Sequence, residues 1–220
     1  LTEINFLPVI TSPRQIFCIG LNYLDHVQET KNEVKPYPTI FIRLASSQCG
    51  HLTPITKPEI SEKLDYEGEM AIVIGRYGKN IAASDAESYI YGYSCYNDIS
   101  VRDWQHHTGQ WAPGKNFEGT GSFGPWLVTS DEIRLSDNLE IKTILNGQVV
   151  QQSTTSMLIN SIPDLIAYIS TFAPLYPGDV IVTGTPGGVG ARRTPPLFLK
   201  KDDVIEVYIE KIGTLKNVIL

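Results

Sequence analysis

Three acidic side chains carry the strongest chemical signal in this chain. Glu67 and Glu69 stand two residues apart in DYEGEMAIVIG (65–75), where the second half is apolar and β-branched. On a strand, Asp65, Glu67 and Glu69 would share one face and repel unless solvated, protonated or holding a cation. Mg²⁺ takes oxygen ligands and keeps waters, so two carboxylates at i, i+2 and a third from elsewhere would suit it. On the spacing alone a solvated edge strand is the better account, since Glu-x-Glu is common. A further carboxylate, Asp98, ends the aromatic run YGYSCYND, where a lone charge is costly unless paired.

Other groups are more ambiguous. GTPGGVG (184–190) lacks the Lys-Ser/Thr of a phosphate loop and the spacing of a dinucleotide fingerprint. It suits either an anion-binding loop offering amides and threonine hydroxyls, or a tight turn. Arg102 and Asp103 read as a surface ion pair, and Gln105, His106 and His107 as a polar loop. Cys49 near His51 reads as a loop thiol, because no orienting third group is recognisable. His26 and Glu29, three apart on a short helix, would share a face.

The elements that must position these groups are mainly strands. The sequence predicts strands over 16–23, 39–44 and 69–75, with a short helix and loop over 24–38. Ser84, with an acidic residue three positions on, predicts a helix over 84–93. Strands and turns fill 122–133 and 139–155, with Asn146-Gly147 as a hairpin turn. The clearest amphipathic helix covers 161–175 behind Ser161. A strand runs into the glycine-rich loop at 177–190, and a hairpin closes the chain at 202–219. No repeat or linker divides the 220 residues, so 1–220 reads as a single mixed β-rich domain.

Composition narrows the function. A net charge of −6 gives no reason to expect nucleic acid or an acidic membrane, and 42% hydrophobic residues suit an ordinary core. No apolar run is long enough to span a bilayer. Three cysteines without metal-type spacing suit a reducing compartment, with Cys18 and Cys95 as buried thiols. No signal-peptide pattern opens the sequence, so the expectation is cytoplasmic, or an organelle matrix if a leader has been removed.

Seven ordered segments then resemble one family. They are GLNYLDHVQE (20–29), DYEGEMAIVIG (65–75), NDISVRDWQ (97–105), GKNF (114–117), GP (124–125), NGQVVQ (146–151) and GDVIVTGTPGGVG (178–190). The chain resembles the fumarylacetoacetate hydrolase superfamily, especially its small acylpyruvase, oxaloacetate decarboxylase and dienedioate isomerase members. That resemblance implies a mixed β-sandwich roll with short helices, usually a homodimer. It implies Glu67, Glu69 and Asp98 as ligands of Mg²⁺, with Mn²⁺ or Ca²⁺ as alternatives, and Asp65 as a supporting residue. It implies His26, Glu29 and Lys115 as catalytic, and Arg102, Gln105 and Thr185 as holding a small keto-acid substrate. The segment 24–38 would be a lid. The leading expectation is hydrolytic C–C cleavage of an acylpyruvate-like substrate through a metal-bound enolate. The alternatives are decarboxylation of oxaloacetate, tautomerisation of a 2-hydroxydienedioate, or a non-catalytic metal-stabilised protein. One departure is Lys201, where the family commonly has glycine.

Overall fold

The computed structural model describes residues 4–30 and 33–220. Its β-branched and aromatic segments pair into a curved seven-stranded sheet. In spatial order the strands are β2 (Thr39–Ile42), β1 (Ile16–Gly20), β11 (Val180–Val182), β5 (Gly68–Ile74), β6 (Ile90–Asp98), β8 (Gly121–Thr129) and β3 (Gln48–Cys49). A second sheet orders β10 (Gln148–Thr154), β9 (Glu140–Leu145), β12 (Val204–Ile209) and β13 (Gly213–Val218). A small pair joins β4 (Leu64–Asp65) to β7 (Ser100–Val101). The mixed, β-rich class expected from the sequence is the one observed.

The main core lies between the two large sheets. Phe17, Ile19, Met70 and Ile72 of the first meet Ile141, Val207 and Leu215 of the second. Helix α4 (Ile162–Phe172) packs Ile162, Leu165, Ile166 and Ile169 into the same cluster, and Ser161 caps it by accepting from Asp164 N at 3.3 Å. A cap of this kind contributes about 1 kcal/mol. Asn146 and Gly147 both take positive φ, 50° and 78°, so the expected β9–β10 hairpin forms on a turn that follows strand twist.

Several expected elements differ in extent. Residues 84–93 are not a helix: a 3₁₀ segment covers Ala83–Tyr89, and Ile90 onward joins β6. Ser84 lies inside the 3₁₀ segment, and its hydroxyl bonds Asp85 instead of capping a backbone amide. The β-branched and aromatic run IYGY fits a buried pleated surface better than a helix. The short helix expected after β1 is α1 (Leu24–Glu29), and within 16–23 the strand stops at Gly20, where Leu21 turns with φ 57°. The lid assigned to 24–38 includes residues 31 and 32, which lie outside the described residues. At the entrance to the closing hairpin Asp202, one position past Lys201, is left-handed with φ 70°. Two short helices complete the frame, α2 (Arg102–Gln105) and α3 (Ala112–Lys115).

Candidate active site and metal centre

DYEGEMAIVIG is not one strand. The ladder breaks at Tyr66-Glu67, between β4 and β5, and Glu67 N donates to Asn97 Oδ1 at 3.1 Å. Asp65 therefore turns away from the other two acids. It accepts from Gly190 N at 2.8 Å, Ala191 N at 2.9 Å and Arg102 Nε at 2.7 Å. Glu67 and Glu69 instead converge with Asp98, which ends β6 on the neighbouring strand. Each of the three offers an oxygen within 4.8 Å of the others, and all three are buried.

The electrostatics of this cluster are unbalanced. Lys115 Nζ donates to Glu67 Oε2 and Asp98 Oδ2, both at 2.6 Å. Arg102 Nη1 pairs with Glu67 Oε1 at 2.6 Å, and Arg43 Nη1 pairs with Asp98 Oδ1. Glu69 has no ion-pair partner among the described residues, and its polar contact is Gly184 N, at 2.5 Å. Burial, with Asp98 and Glu67 beside it, holds the Glu69 carboxyl well above the usual carboxylate range. Burial opposes ionisation of Glu67 as well, but Lys115 and Arg102 outweigh it and hold that group far below the range. Four buried carboxylates, Asp65 included, thus face three buried cations. The donor set fits a hard divalent ion: three carboxylates close enough to share one, and one carboxylate short of positive charge.

His26 and Glu29 lie on α1. His26 is 7% exposed, and its Nδ1 lies 3.4 Å from Glu29 Oε2. Glu29 accepts from Gly188 N at 3.0 Å. Burial raises its pKa, but the bonds from His26 and Gly188 prevail and the net shift is downward. Asn22 anchors this end of the chain: its Nδ2 donates to Thr183 O at 2.8 Å and its Oδ1 accepts from Asn160 N at 2.8 Å. The glycine loop after β11 is therefore a structural clasp as well as a cavity wall. Gly184 and Gly188 take φ of 105° and 100°, a region that side-chain-bearing residues rarely enter.

A cavity of about 720 Å³ opens on this cluster and is lined by His26, Glu67, Glu69, Arg102, Gln105 and Lys115, with Thr185 also on its wall. Glu29 and Asp98 stand behind that wall. The Thr185 hydroxyl donates to Gly68 O at 3.0 Å and accepts from Gln151 Nε2 at 2.9 Å, so it offers a ligand only a lone pair. Gln105 Oε1 accepts from Arg102 Nη1 at 3.0 Å, and its Nε2 has no partner among the described residues. Arg102 is not paired with Asp103. Asp103 Oδ1 instead accepts from Ser61 Oγ at 2.7 Å and Trp104 N at 3.1 Å. Cys49 and His51 do not form a pair: Cys49 Sγ donates to Gly119 O, and His51 Nδ1 accepts from Lys216 N. Burial pushes the Cys49 thiol up to about 11.

Sequence reasoning gave no role to three buried supports. Arg43 binds Asp98, Ile99 O and Thr120 Oγ1. Gln151 uses all four amide hydrogen bonds, on Gly68 N, Thr143, Thr185 and Pro186 O, and the bulge at Val150 aims it inward. Asn22 is the third. A lone arginine in TIFIRL was the available signal for the first; the bulge leaves none.

Residues 15–220 match the family described as fumarylacetoacetate hydrolase C-terminal. The chain belongs to the fumarylacetoacetate hydrolase family. It is 44% identical over 217 residues to rat (Rattus norvegicus) oxaloacetate tautomerase Fahd2a, mitochondrial, covering 98% of this chain and 69% of that one. A Mycobacterium smegmatis protein described as HpcE superposes with a TM-score of 0.94 at 38% identity, covering 99% of this chain and 78% of that chain. A fumarylpyruvate hydrolase from Pseudomonas aeruginosa, in complex with Mn²⁺ and pyruvate, superposes with a TM-score of 0.86 at 27% identity, covering 94% and 90%. The chain is thus a fumarylacetoacetate hydrolase-family enzyme with an acidic triad suited to a divalent metal. Among the described residues no helix is long and apolar enough to cross a membrane.

Proposed function

We propose that this protein is a metal-dependent keto–enol tautomerase of 2-oxo acids, with oxaloacetate as its first candidate substrate. The observation that carries this is its 44% identity, across 98% of its length, to a protein named oxaloacetate tautomerase. The motifs alone had put hydrolytic C–C cleavage first; this relative reverses that order. Tautomerisation moves one proton off C3 and puts one on the 2-oxo oxygen, with no carbon–carbon bond broken and no water consumed.

A divalent cation on Glu67, Glu69 and Asp98 would supply Lewis-acid polarisation of the substrate's oxygens. His26 takes the C3 proton, and Glu29, fixed by Gly188 N, orients the imidazole and favours its protonated form. Lys115 holds Glu67 and Asp98 together and keeps the anionic ligands charged. Gln105 Nε2 offers an unpaired donor for a substrate oxygen, with the Arg102 guanidinium beside it on the cavity wall. The test follows decay of the enol absorbance of oxaloacetate in saturating Mg²⁺. His26→Ala is expected to lower the rate about 10²–10⁴-fold with Mg²⁺ binding unchanged. Faster hydrolysis of an acylpyruvate than tautomerisation of oxaloacetate would overturn the proposal.

Hydrolysis of an acylpyruvate is the second reading, favoured by the likeness to fumarylpyruvate hydrolase. Oxaloacetate decarboxylation shares the site, and released CO₂ would reveal it. Homodimerisation is part of our reading. We take a mitochondrial location over the cytoplasm, because the rat relative's name carries it.

A further inference from the structure

The cavity wall carries positive charge that the acidic triad does not use. Arg192 ends the 3₁₀ turn Gly190–Arg192, lines the cavity, and has no hydrogen-bond or ion-pair partner among the described residues. The neighbouring arginines are engaged. Arg43 holds Asp98, and Arg193 holds Tyr66 Oη, Gly188 O and Val150 O. Arg102 binds Asp65, Glu67 and Gln105 yet keeps a buried Nη2 without a partner. His106 lines the same cavity, and its pKa is lowered by burial and then by Arg102, Arg192 and Lys115. Arg102 and Lys115 are matched by Asp65, Glu67 and Asp98, which leaves Arg192 as the arginine on this wall without a carboxylate partner among the described residues. Asp103, the remaining carboxylate on that wall, turns Oδ1 to Ser61 and Trp104.

Arg192 is also held in place from below. One buried carboxylate, Asp65, binds Gly190 N, Ala191 N and Arg102 Nε. The backbone that carries Arg192 and the guanidinium that faces the triad are thus pinned to the same anchor. The Arg192 side chain itself is exposed at the cavity rim, and its planar fork of donors suits a carboxylate.

We infer that Arg192 is the specificity-determining residue for a 2-oxo dicarboxylate, receiving the substrate carboxylate farthest from the 2-oxo group. This rests on the 2-oxo acid reading given above. Oxaloacetate and 2-oxobutyrate differ by that carboxylate, replaced in the second by a methyl group. In the Mg²⁺-loaded protein, Arg192→Gln should lower kcat/KM for oxaloacetate about 10–100-fold, mostly through KM, the usual scale for losing a charge-assisted hydrogen bond. The same variant should change 2-oxobutyrate less than about threefold, and Arg192→Lys should keep part of the preference. Calorimetric titration with the two acids measures the same preference without turnover. If the wild type turns over neither acid but its binding preference for oxaloacetate collapses in Arg192→Gln, the tautomerase reading fails and the role of Arg192 stands. Equal losses on both acids, or a binding preference that is absent from the wild type or intact in Arg192→Gln, would overturn it.

Discussion

Glu69 is the residue on which metal and protein stability meet. Its neighbours in the triad are matched by Arg43, Arg102 and Lys115, while it is matched by one backbone amide. Replacing it with a neutral isostere removes a ligand and also removes a buried acid that pairs with no cation among the described residues and whose ionisation burial opposes. Glu69→Gln should therefore lose the rise in melting temperature that Mg²⁺ gives the wild type, while its metal-free form melts no lower than metal-free wild type. Thermal scans of both proteins with Mg²⁺ and with EDTA decide this. A preserved Mg²⁺-induced rise in the variant would count against the triad as the metal site. At this scale acids breaking an apolar pattern drew attention to Glu67, Glu69 and Asp98, and the family resemblance joined them into one set that the fold brings together. The break at Tyr66-Glu67 was not legible, because the direction of Asp65 depends on Gly190 and Ala191, 125 residues away.

The element that most constrains the chemistry is the glycine loop after β11. It contributes Gly184 N to Glu69, Gly188 N to Glu29 and the backbone that bears Arg192. A Cβ at position 188 would lie 2.3 Å from Val150 O, on a backbone with φ 100°. Gly188→Ala should thus cost about 1–3 kcal/mol and loosen α1. Because Glu29 has a lowered pKa in the fold, its tie to Gly188 adds stability above the ordinary glutamate value. That stability is lost as pH falls through the lowered folded value. The variant should lose this contribution, so its stability should depend less on pH on the acid side. Denaturant melts at pH 7 and at mildly acidic pH measure both effects; a variant as stable as the wild type would refute the strain argument. Elements with strong local signals, the Asn146-Gly147 hairpin and the Ser161-capped helix, were legible from sequence. Residues 84–93 were not, since sheet pairing with β5 and β8 overrode a capping pattern.

For the whole molecule, the family resemblance leads us to expect a homodimer. The edge strand β2 and the residues after it expose Ile42 and Leu44, at 43% and 56%, on either side of the fully buried Arg43. An apolar edge of this kind is one that natural proteins usually cover. Light scattering at micromolar concentration should give twice the chain mass, and Leu44→Glu should shift it toward one. A monomeric wild type would remove the expectation. The order of motifs made the family legible, but the pairing of surfaces leaves no periodic trace in a β-rich chain.

The parallel pairing of β1 with β11 also has a consequence for how the protein is made. Ile16 lies beside Val180, and Asn22 beside Thr183, so the first strand is completed by residues translated some 160 positions later. His26 leaves the ribosome long before its partner Glu29 can find Gly188. Loops this long are closed slowly, and only after most of the chain exists. A nascent chain stopped at Phe172 would hold the triad acids Glu67, Glu69 and Asp98 without the amide that Gly184 gives Glu69 or the clasp that seats α1. The candidate site is in this sense assembled late, only once the loop that follows β11 has been made.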